Sequence, residues 1–534
     1  MNTQKKTIFK RKSLKQLVIL TLGILTFCSN IQTSLAQKTS KKATSSIKKD
    51  ITKSKPNILW ITTEGLPLKV LSCYGGTLLK TPNIDRIAKE GMLFQNSFCT
   101  NGLCAPSRAT LLTGKYSHLN GMLTNPGGVT GVQKNYFDAK QETFSRILQQ
   151  NGYKTGIVGK WHLKDKDGKA TNPGEAGFDY FVFKNGAGGP YYNPKGFLQN
   201  PSLGSKEIEE KSYEGYITDN ITSLAIKGIE EMKDGPFMMA VQFFNDHRPF
   251  DPPHKYEHIY DSIRFPEPGT FWDDYDTRSS AARQAHQGIG DMMDFNPPKD
   301  LTARQRKQWN YQQLMRHFLA TLKAQDDNIG RLLDYLDKSG LAKNTIVVFT
   351  GDHGFFLGEH GWFDKRFMYE EALRVPWLIR YPNVIKPGTV SDAWVVNIDN
   401  APTILDMAGI KIPAEMQGRS LMPIFKGQLP EDWPKSMYYH YYEFGPPHWA
   451  MPCYGIRTER YKLIYYYTIN QWELFDLQKD PDEMENLCLK GGMEINSGYE
   501  AVFKELLDEL TRLRKYYKDD SGSPVRVWDR KDYN

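Results

Sequence analysis

Residues 344–354 read NTIVVFTGDHG, a continuous apolar and β-branched run that breaks at Gly351 into the polar pair Asp352 and His353. A short apolar run bounded by turn residues is the pattern of a strand buried on both faces. The same unit recurs at PNILWITT (56–63) and PFMMAVQFF (236–244). TFSRILQQNGYKTGIVGKWHL (143–163) reads helix, turn, strand. TPNIDRIAKEG (81–91) reads as a helix, with Thr81 and Asn83 as cap candidates and Gly91 as the stop. Strands alternating with helices predict an α/β fold, a mostly parallel sheet flanked by helices on both faces. In such sheets functional groups gather beyond the carboxyl ends of the strands. Glu64, Lys160 with His162, Asn245 to His247, and Asp352 with His353 all stand there.

After about residue 430 the texture changes. MYYHYYEF (437–444), YGIRTERYKLIYYYT (454–468) and QWELFDLQ (471–478) are aromatic, alternating and separated by turns. They predict a smaller C-terminal antiparallel sheet. GYEAVFKELLDELTRLRKYY (498–517) has helical spacing and is expected to pack on that sheet. Residues 266–300, rich in Pro, Asp and Gly, are expected to form a long insertion near the site.

The first 36 residues stand apart. Six basic residues are followed by LVILTLGILTF (17–27) and then by a polar stretch ending in Ser34–Leu35–Ala36. A basic start, a short apolar core and small residues at −3 and −1 describe a secretory signal peptide. The run is too short for an ordinary transmembrane helix. Cys28 invites comparison with a lipid-anchored cysteine, but bulky Phe27 precedes it, so cleavage after Ala36 is expected and the mature chain is periplasmic or secreted. Residues 37–55 form a Lys/Ser/Thr-rich tether of disordered composition. The formal charge of +8 falls to +2 without the leader. Residues 37–56 carry a net +6, which leaves about −4 on the body. The folded part therefore has no basic excess for nucleic acid. At 40% hydrophobic and 24% charged residues, that body is a soluble globular protein with a large core. The expected division is leader 1–36, tether 37–55, catalytic part 56–430 and C-terminal part 431–534.

The six cysteines show no CxxC spacing, which argues against a zinc ribbon, and removing the leader leaves an odd five. Cys104, in CAPSRATLLTGK (104–115), reads from the residues alone as a nucleophile, half of a disulfide, or packing. Arg108, Lys160, His162, His247 and Lys365, if they converge, build a pocket for a small anion. Glu64 and Asp352 would repel that anion unless a cation lies between them, and hard oxygen ligands favour Ca²⁺ or Mg²⁺. A nucleophile, a cation and a ring of positive groups describe transfer of a phosphoryl or sulfuryl group.

CAPSRATLLTGK resembles the Cys-x-Pro-Ser-Arg signature of the formylglycine-dependent sulfatases. The resemblance extends through CYGG (73–76), GIVGKWHL (156–163), GFDYF (177–181), GDHGFFLGEHG (351–361), FDKRFMYEEALRVP (363–376) and YGIRTERYKLIYYY (454–467). The wording is closest to the branch of glucosamine-6-sulfatases and other polysaccharide sulfatases. The resemblance implies an alkaline-phosphatase-like α/β domain and hydrolysis of a sulfate ester on a sulfated polysaccharide or oligosaccharide. It implies that Cys104 is oxidised to Cα-formylglycine (3-oxoalanine) by a formylglycine-generating or anaerobic sulfatase-maturating enzyme. The hydrated aldehyde then attacks sulfur through one hydroxyl and expels sulfate by losing a proton from the other. By position, Arg108 would orient the formylglycine, Lys160 and Lys365 would contact sulfate and His162 would orient the diol. His247 would protonate the leaving oxygen or contact sulfate. Glu64, Cys104, Asp352 and His353 would hold one divalent metal, Ca²⁺ in these enzymes.

Two departures stand out. TTEGLP (62–67) has Glu64 and Gly65 where the resembling enzymes carry paired aspartates. The site loses one carboxylate, so calcium affinity is expected to fall and Gly65→Asp to restore it. Cys453 replaces a histidine that the resemblance sets against the sugar, so glucosamine-6-sulfate specificity does not carry over. Lys115, His118 and His360 read as structural, and His448 is left outside the candidate set. Two other readings stay open: a phosphonate or phosphate monoester hydrolase of the same superfamily, and a non-catalytic sugar-binding relative. An intact maturation motif argues against the second.

Overall fold

The computed structural model describes residues 55–128, 135–184, 186 and 188–522. The leader and all but the last residue of the tether lie outside the described residues. From Pro56 the described residues form one compact unit. No described helix is long and apolar enough to cross a membrane.

Ten strands form the main sheet: β1 (Asn57–Thr63), β2 (Met92–Phe98), β3 (Lys154–Lys160), β4 (Tyr180–Lys184), β5 (Phe197–Gln199), β6 (Glu209–Lys211), β7 (Phe237–Gln242), β8 (Thr345–Gly351), β11 (Trp377–Arg380) and β12 (Thr389–Val396). Their order is β12-β2-β11-β8-β1-β7-β3-β4-β5-β6. The run β8-β1-β7-β3-β4 is parallel throughout. The expected strands at 56–63, 236–244 and 344–354 are its centre. β11, β5 and β6 pair antiparallel, so the sheet is mixed towards its edges.

The central strands are apolar on both faces because both are covered. Leu59 and Ile61 face the helices Ile217–Met232 and Ala303–Lys338, while Ile58 and Trp60 face the helix Cys104–Thr113. Each fully buried Ile, Leu or Phe contributes about 1.5–3 kcal/mol over its exposed state. A capping box at Thr302 and Gln305 starts the 36-residue helix Ala303–Lys338.

The hairpin β9 (Phe356–Leu357) and β10 (Phe363–Asp364) stands outside the main sheet. The aromatic segments form an antiparallel sheet of β13 (Ser436–Tyr441), β14 (Cys453–Thr458), β15 (Tyr461–Tyr466) and β16 (Gln471–Asp476). The helix Glu500–Tyr516 packs on it through Phe503, Leu506, Leu510 and Leu513. The insertion 266–300 reaches the site region: Phe363 N–H donates to the Gln287 carbonyl at 3.0 Å, and Asp294 accepts from Arg248 Nε and Nη2 at 2.7 and 2.8 Å.

Candidate active site

The polar residues lie where the parallel strands end. Glu64 follows β1, Lys160 closes β3, and Asp352 and His353 follow β8. Cys104 is the first residue of its helix, so Arg108, four residues on, shares its face. The partial positive charge at that helix start favours an anion at Cys104. Lys365 comes from the β9–β10 hairpin, not from a strand of the main sheet. It is flanked by Asp364 (φ 76) and Arg366 (φ 94), a left-handed backbone that non-glycine residues adopt at a cost and mostly at functional sites.

Seven predicted residues meet. Cys104 Sγ lies 2.6 Å from Glu64 Oε1 and 3.2 Å from Lys365 Nζ. Glu64 Oε2 accepts from Lys160 Nζ at 2.7 Å and from Arg108 at 3.1 Å. Arg108 Nε also donates to Asp352 Oδ2 at 3.1 Å. His353 Nε2 lies 3.6 Å from Glu64 Oε1 and 3.5 Å from Asp352 Oδ1. All seven are nearly inaccessible to solvent. His162 and His247 stand just outside this set of contacts. Burial, followed by Lys160, pushes His162 well below the usual imidazole range. Burial, followed by Lys160 and Lys365, pushes His247 down to about 4. Both rings are neutral near pH 7.

The pocket stabilises negative charge at position 104. Burial and the Glu64 carboxylate would raise the thiol. Lys160, followed by Lys365, outweighs them and brings it down to about 5. Sγ marks the place of the oxygen nucleophile that an oxidised residue would carry, and that oxygen would meet the same field. Burial works against charge on Lys365, but Cys104, Asp364 and Glu64 keep it protonated.

The donor set of Glu64, Cys104, Asp352 and His353 fits a cation. One ligand atom from each lies within 4.8 Å of the others. His353 Nδ1 faces the Gly354 carbonyl at 2.8 Å and must donate there, which turns the Nε2 lone pair towards the carboxylates. Among the described residues that buried Nε2 has no hydrogen-bond partner. Although burial opposes it, Asp352 raises the basicity of His353 to about 10, so the position calls for positive charge.

Several residues beyond the candidate set complete the frame. Gln242 accepts from Arg108 at 2.7 Å, Asn125 accepts from the Ala105 N–H at 3.0 Å, and the Ser107 hydroxyl bonds the Asp352 carbonyl. Of these, Ser107 was visible in the Cys-x-Pro-Ser-Arg spacing. Gln242 and Asn125 had no local signal. His118 and His360 are structural, bonding the Tyr517 carbonyl and Asp273 at 2.9 Å each. Cys453 is buried in the core cluster that includes the small sheet. His448 does approach it, at 3.6 Å from Asp364. Cys73, Cys99, Cys104, Cys453 and Cys488 are all unpaired, so the described residues hold no disulfide.

Residues 56–410 match the sulfatase family, and residues 358–516 match the family described as N-sulphoglucosamine sulphohydrolase, C-terminal. An N-acetylglucosamine-6-O-sulfatase of Bacteroides thetaiotaomicron is 41% identical over 517 residues, covering 87% of each chain. An ulvan-active sulfatase of Formosa agariphila is 29% identical, covering 87% of this chain and 84% of that protein. A solved structure of a protein in complex with its substrate D-glucosamine-2-N,6-O-disulfate superposes with a TM-score of 0.79 at 39% identity. It covers 88% of this chain and 99% of the other. A phosphonate monoester hydrolase of Agrobacterium radiobacter shares the fold alone, at 20% identity and a TM-score of 0.65 over 86% of this chain and 96% of that one.

Proposed function

Because the chain belongs to the sulfatase family, we propose that it hydrolyses a sulfate ester on a sulfated glycan, with a 6-O-sulfated glucosamine unit as the substrate class. The observation that carries this reading is the convergence of Arg108, Lys160 and Lys365 around the position of Cys104. Two lysines and an arginine suit a sulfate oxyanion and the charge that builds on it during transfer. The 41% identity to the N-acetylglucosamine-6-O-sulfatase supports the sugar.

In this reading Cys104 is the precursor of formylglycine, made by a maturating enzyme, whose hydrated aldehyde supplies an oxygen nucleophile. Lys160 and Lys365 hold sulfate oxygens. Arg108 bridges Glu64 and Asp352 and keeps both aimed at residue 104. His162 orients the nucleophile. His247, neutral in the free protein with Nδ1 3.2 Å from the Arg248 carbonyl, presents Nε2 to the leaving oxygen. It takes up a proton as the anionic substrate enters and delivers it to the departing alcohol. Glu64, Asp352, His353 and the nucleophile would hold one divalent cation, which would lower the cost of negative charge on the nucleophile.

The same reading exports the chain. A leader of 1–36 is removed, a tether of 37–55 follows, and catalytic (56–430) and C-terminal (431–534) parts act in the periplasm or outside the cell. The test is sulfate release from glucosamine 6-sulfate by protein made with a formylglycine-generating enzyme. The Cys104 peptide should lose about 18 Da, the thiol-to-aldehyde change. Full activity with an unmodified thiol would refute the nucleophile.

A further inference from the structure

A line of four buried polar side chains joins the strand end that carries Glu64 to the strand end that carries His247. Thr63 closes β1 and directly precedes Glu64. Asn245 and Asp246 stand beyond β7 and directly precede His247. Gln325 comes from the helix Ala303–Lys338. All four are at most 2% exposed. Thr63 Oγ1 lies 2.5 Å from Gln325 Oε1 and 3.1 Å from Asp246 Oδ2. Gln325 Nε2 donates to Asn245 Oδ1 at 2.9 Å, and Asn245 Nδ2 donates to the Thr321 carbonyl at 3.0 Å.

The last member of this line sets the direction of every bond in it. A backbone carbonyl only accepts, so the Asn245 atom facing Thr321 is the amide nitrogen, and its Oδ1 is an acceptor. Gln325 must then turn Nε2 to Asn245 and its oxygen to Thr63. A threonine hydroxyl has one hydrogen. That hydrogen goes to the Gln325 oxygen, the nearer of its two oxygen neighbours. Thr63 has nothing left to donate to Asp246, so the hydrogen between them comes from the carboxyl. An ionised Asp246 would instead set two bare oxygens 3.1 Å apart. It would also place charge on Oδ1, which is buried with no hydrogen-bond partner among the described residues. Burial too favours the neutral form.

We propose that Asp246 is a positioning residue that works as a neutral carboxylic acid: it donates its proton to Thr63 and so ties the loop of His247 to the loop of Glu64. This rests on the sulfatase reading above, in which Glu64 serves the nucleophile and His247 the leaving oxygen. The bond made and the bond broken share one sulfur atom, so these two groups must keep a fixed separation. A misplacement of about 1 Å costs about 10²-fold in rate. The helix Ala303–Lys338 backs the tie through Gln325, which holds the Thr63 hydroxyl in the one orientation that accepts from Asp246. A neutral acid makes this link without adding a further negative charge to a region that already holds Glu64 and Asp352 and has to take a sulfate.

The experiment compares variants of Asp246 and Thr63 in formylglycine-bearing protein, by sulfate release from glucosamine 6-sulfate, melting temperature and infrared spectroscopy. Asp246→Ala should lower kcat about 10- to 100-fold, the range for removing a group that supports another, with KM changed less than about threefold. Thr63→Val keeps the shape and removes the hydroxyl. It should slow turnover by a similar factor, and the double variant should be no slower than the slower single one, because both cut the same link. Asp246→Asn, whose amide nitrogen donates where the acid did, should stay within about threefold of the parent. An Asn variant as slow as the Ala variant overturns the proposal, because the charge would then be what matters. So does an Ala variant near the parent's rate, or losses that multiply in the double variant. Should Asp246→Ala fail to fold, the contrast between a slow Thr63→Val and a fast Asp246→Asn decides the same point. The infrared difference between the parent and Asp246→Asn near pH 7 should show the carbonyl stretch of a protonated carboxyl. Carboxylate bands in its place overturn the proposal without reference to turnover. The sulfatase reading fails separately: if the parent releases no sulfate while the protonated acid is seen and the melting-temperature losses of the two variants do not add, the link stands and the activity does not.

Discussion

Gly65 shows how much one methylene decides. Its backbone stands at φ +46, its N–H donates to Asp352 at 3.0 Å, and a Cβ there would lie 3.3 Å from His353 Cε1 and 3.1 Å from Phe355. The missing aspartate has not left a hole for water, because the His353 ring uses that space. Gly65→Asp is therefore expected to weaken divalent-metal binding by about 10- to 100-fold, the range for disturbing a ligand's support. That reverses the expectation from the sequence alone, and a calorimetric metal titration checks it. Unchanged or tighter binding would mean that the ring can move aside. Lys365→Ala should lower kcat by about 10²- to 10³-fold, the loss seen when one electrostatic stabiliser is removed. Its melting temperature should hold, and a rate near the parent's would remove Lys365 from the sulfate. The lysine's own motif revealed it, whereas Asp364 and Arg366 beside it passed as ordinary charges. Their left-handed backbone and their reach to His448 exist only once the hairpin and the C-terminal loop meet.

At the level of elements, buried ion pairs fasten the small sheet to the rest of the chain. Glu370, in the short helix Glu370–Leu373, accepts from Arg457 of β14 at 3.1 Å and lies 3.0 Å from Lys462 of β15. Lys462 also donates to Glu483 at 2.6 Å, and its side chain has no exposed surface. Lys462→Met would leave two buried carboxylates facing each other. It should cost about 3–5 kcal/mol, as breaking one partner of a buried pair does. Denaturant unfolding measures this, and a loss below about 1 kcal/mol would show that water reaches the pair. The hydrophobic period of the strands and helices was legible because local burial sets it. The docking of one sheet against the other was not, because Glu370, Arg457, Lys462 and Glu483 are ordinary charged residues until distant elements bury them together.

Across the whole molecule, the described chain closes on itself at Asp519. Its carboxylate accepts from Tyr438 at 2.7 Å, from Tyr442 at 3.3 Å and from His440 at 2.8 Å, joining the segment after the last described helix to β13 and the residue that follows it. Burial alone would raise this carboxyl, but His440, followed by His118, holds it well below the usual carboxylate range. A depressed folded value means stability that is present in full above the unfolded value near pH 4 and lost as pH falls through the folded one. Asp519→Asn should therefore cost about 1.5–3 kcal/mol at pH 7, the worth of hydrogen bonds to a charged group. The gap should begin to narrow below about pH 4 and keep narrowing as pH falls towards the folded value, so melting curves at about pH 7, 3.5 and 2.5 test the sign. A gap that does not narrow in acid would assign the loss to shape and not to charge. What the sequence by itself determined was the alternation of buried strands and helices, the aromatic C-terminal sheet and the motif of Cys104 with Arg108. Those rest on periodicity and on residues one helical turn apart, which local chemistry enforces. Only the tertiary structure decided that β11, β5 and β6 run antiparallel, that Lys365 arrives on a separate hairpin, and that His448 comes within 3.6 Å of Asp364 beside it. Each of these depends on contacts between segments far apart in the chain, where the free energy of burial and charge pairing is set by the partner and not by the residue.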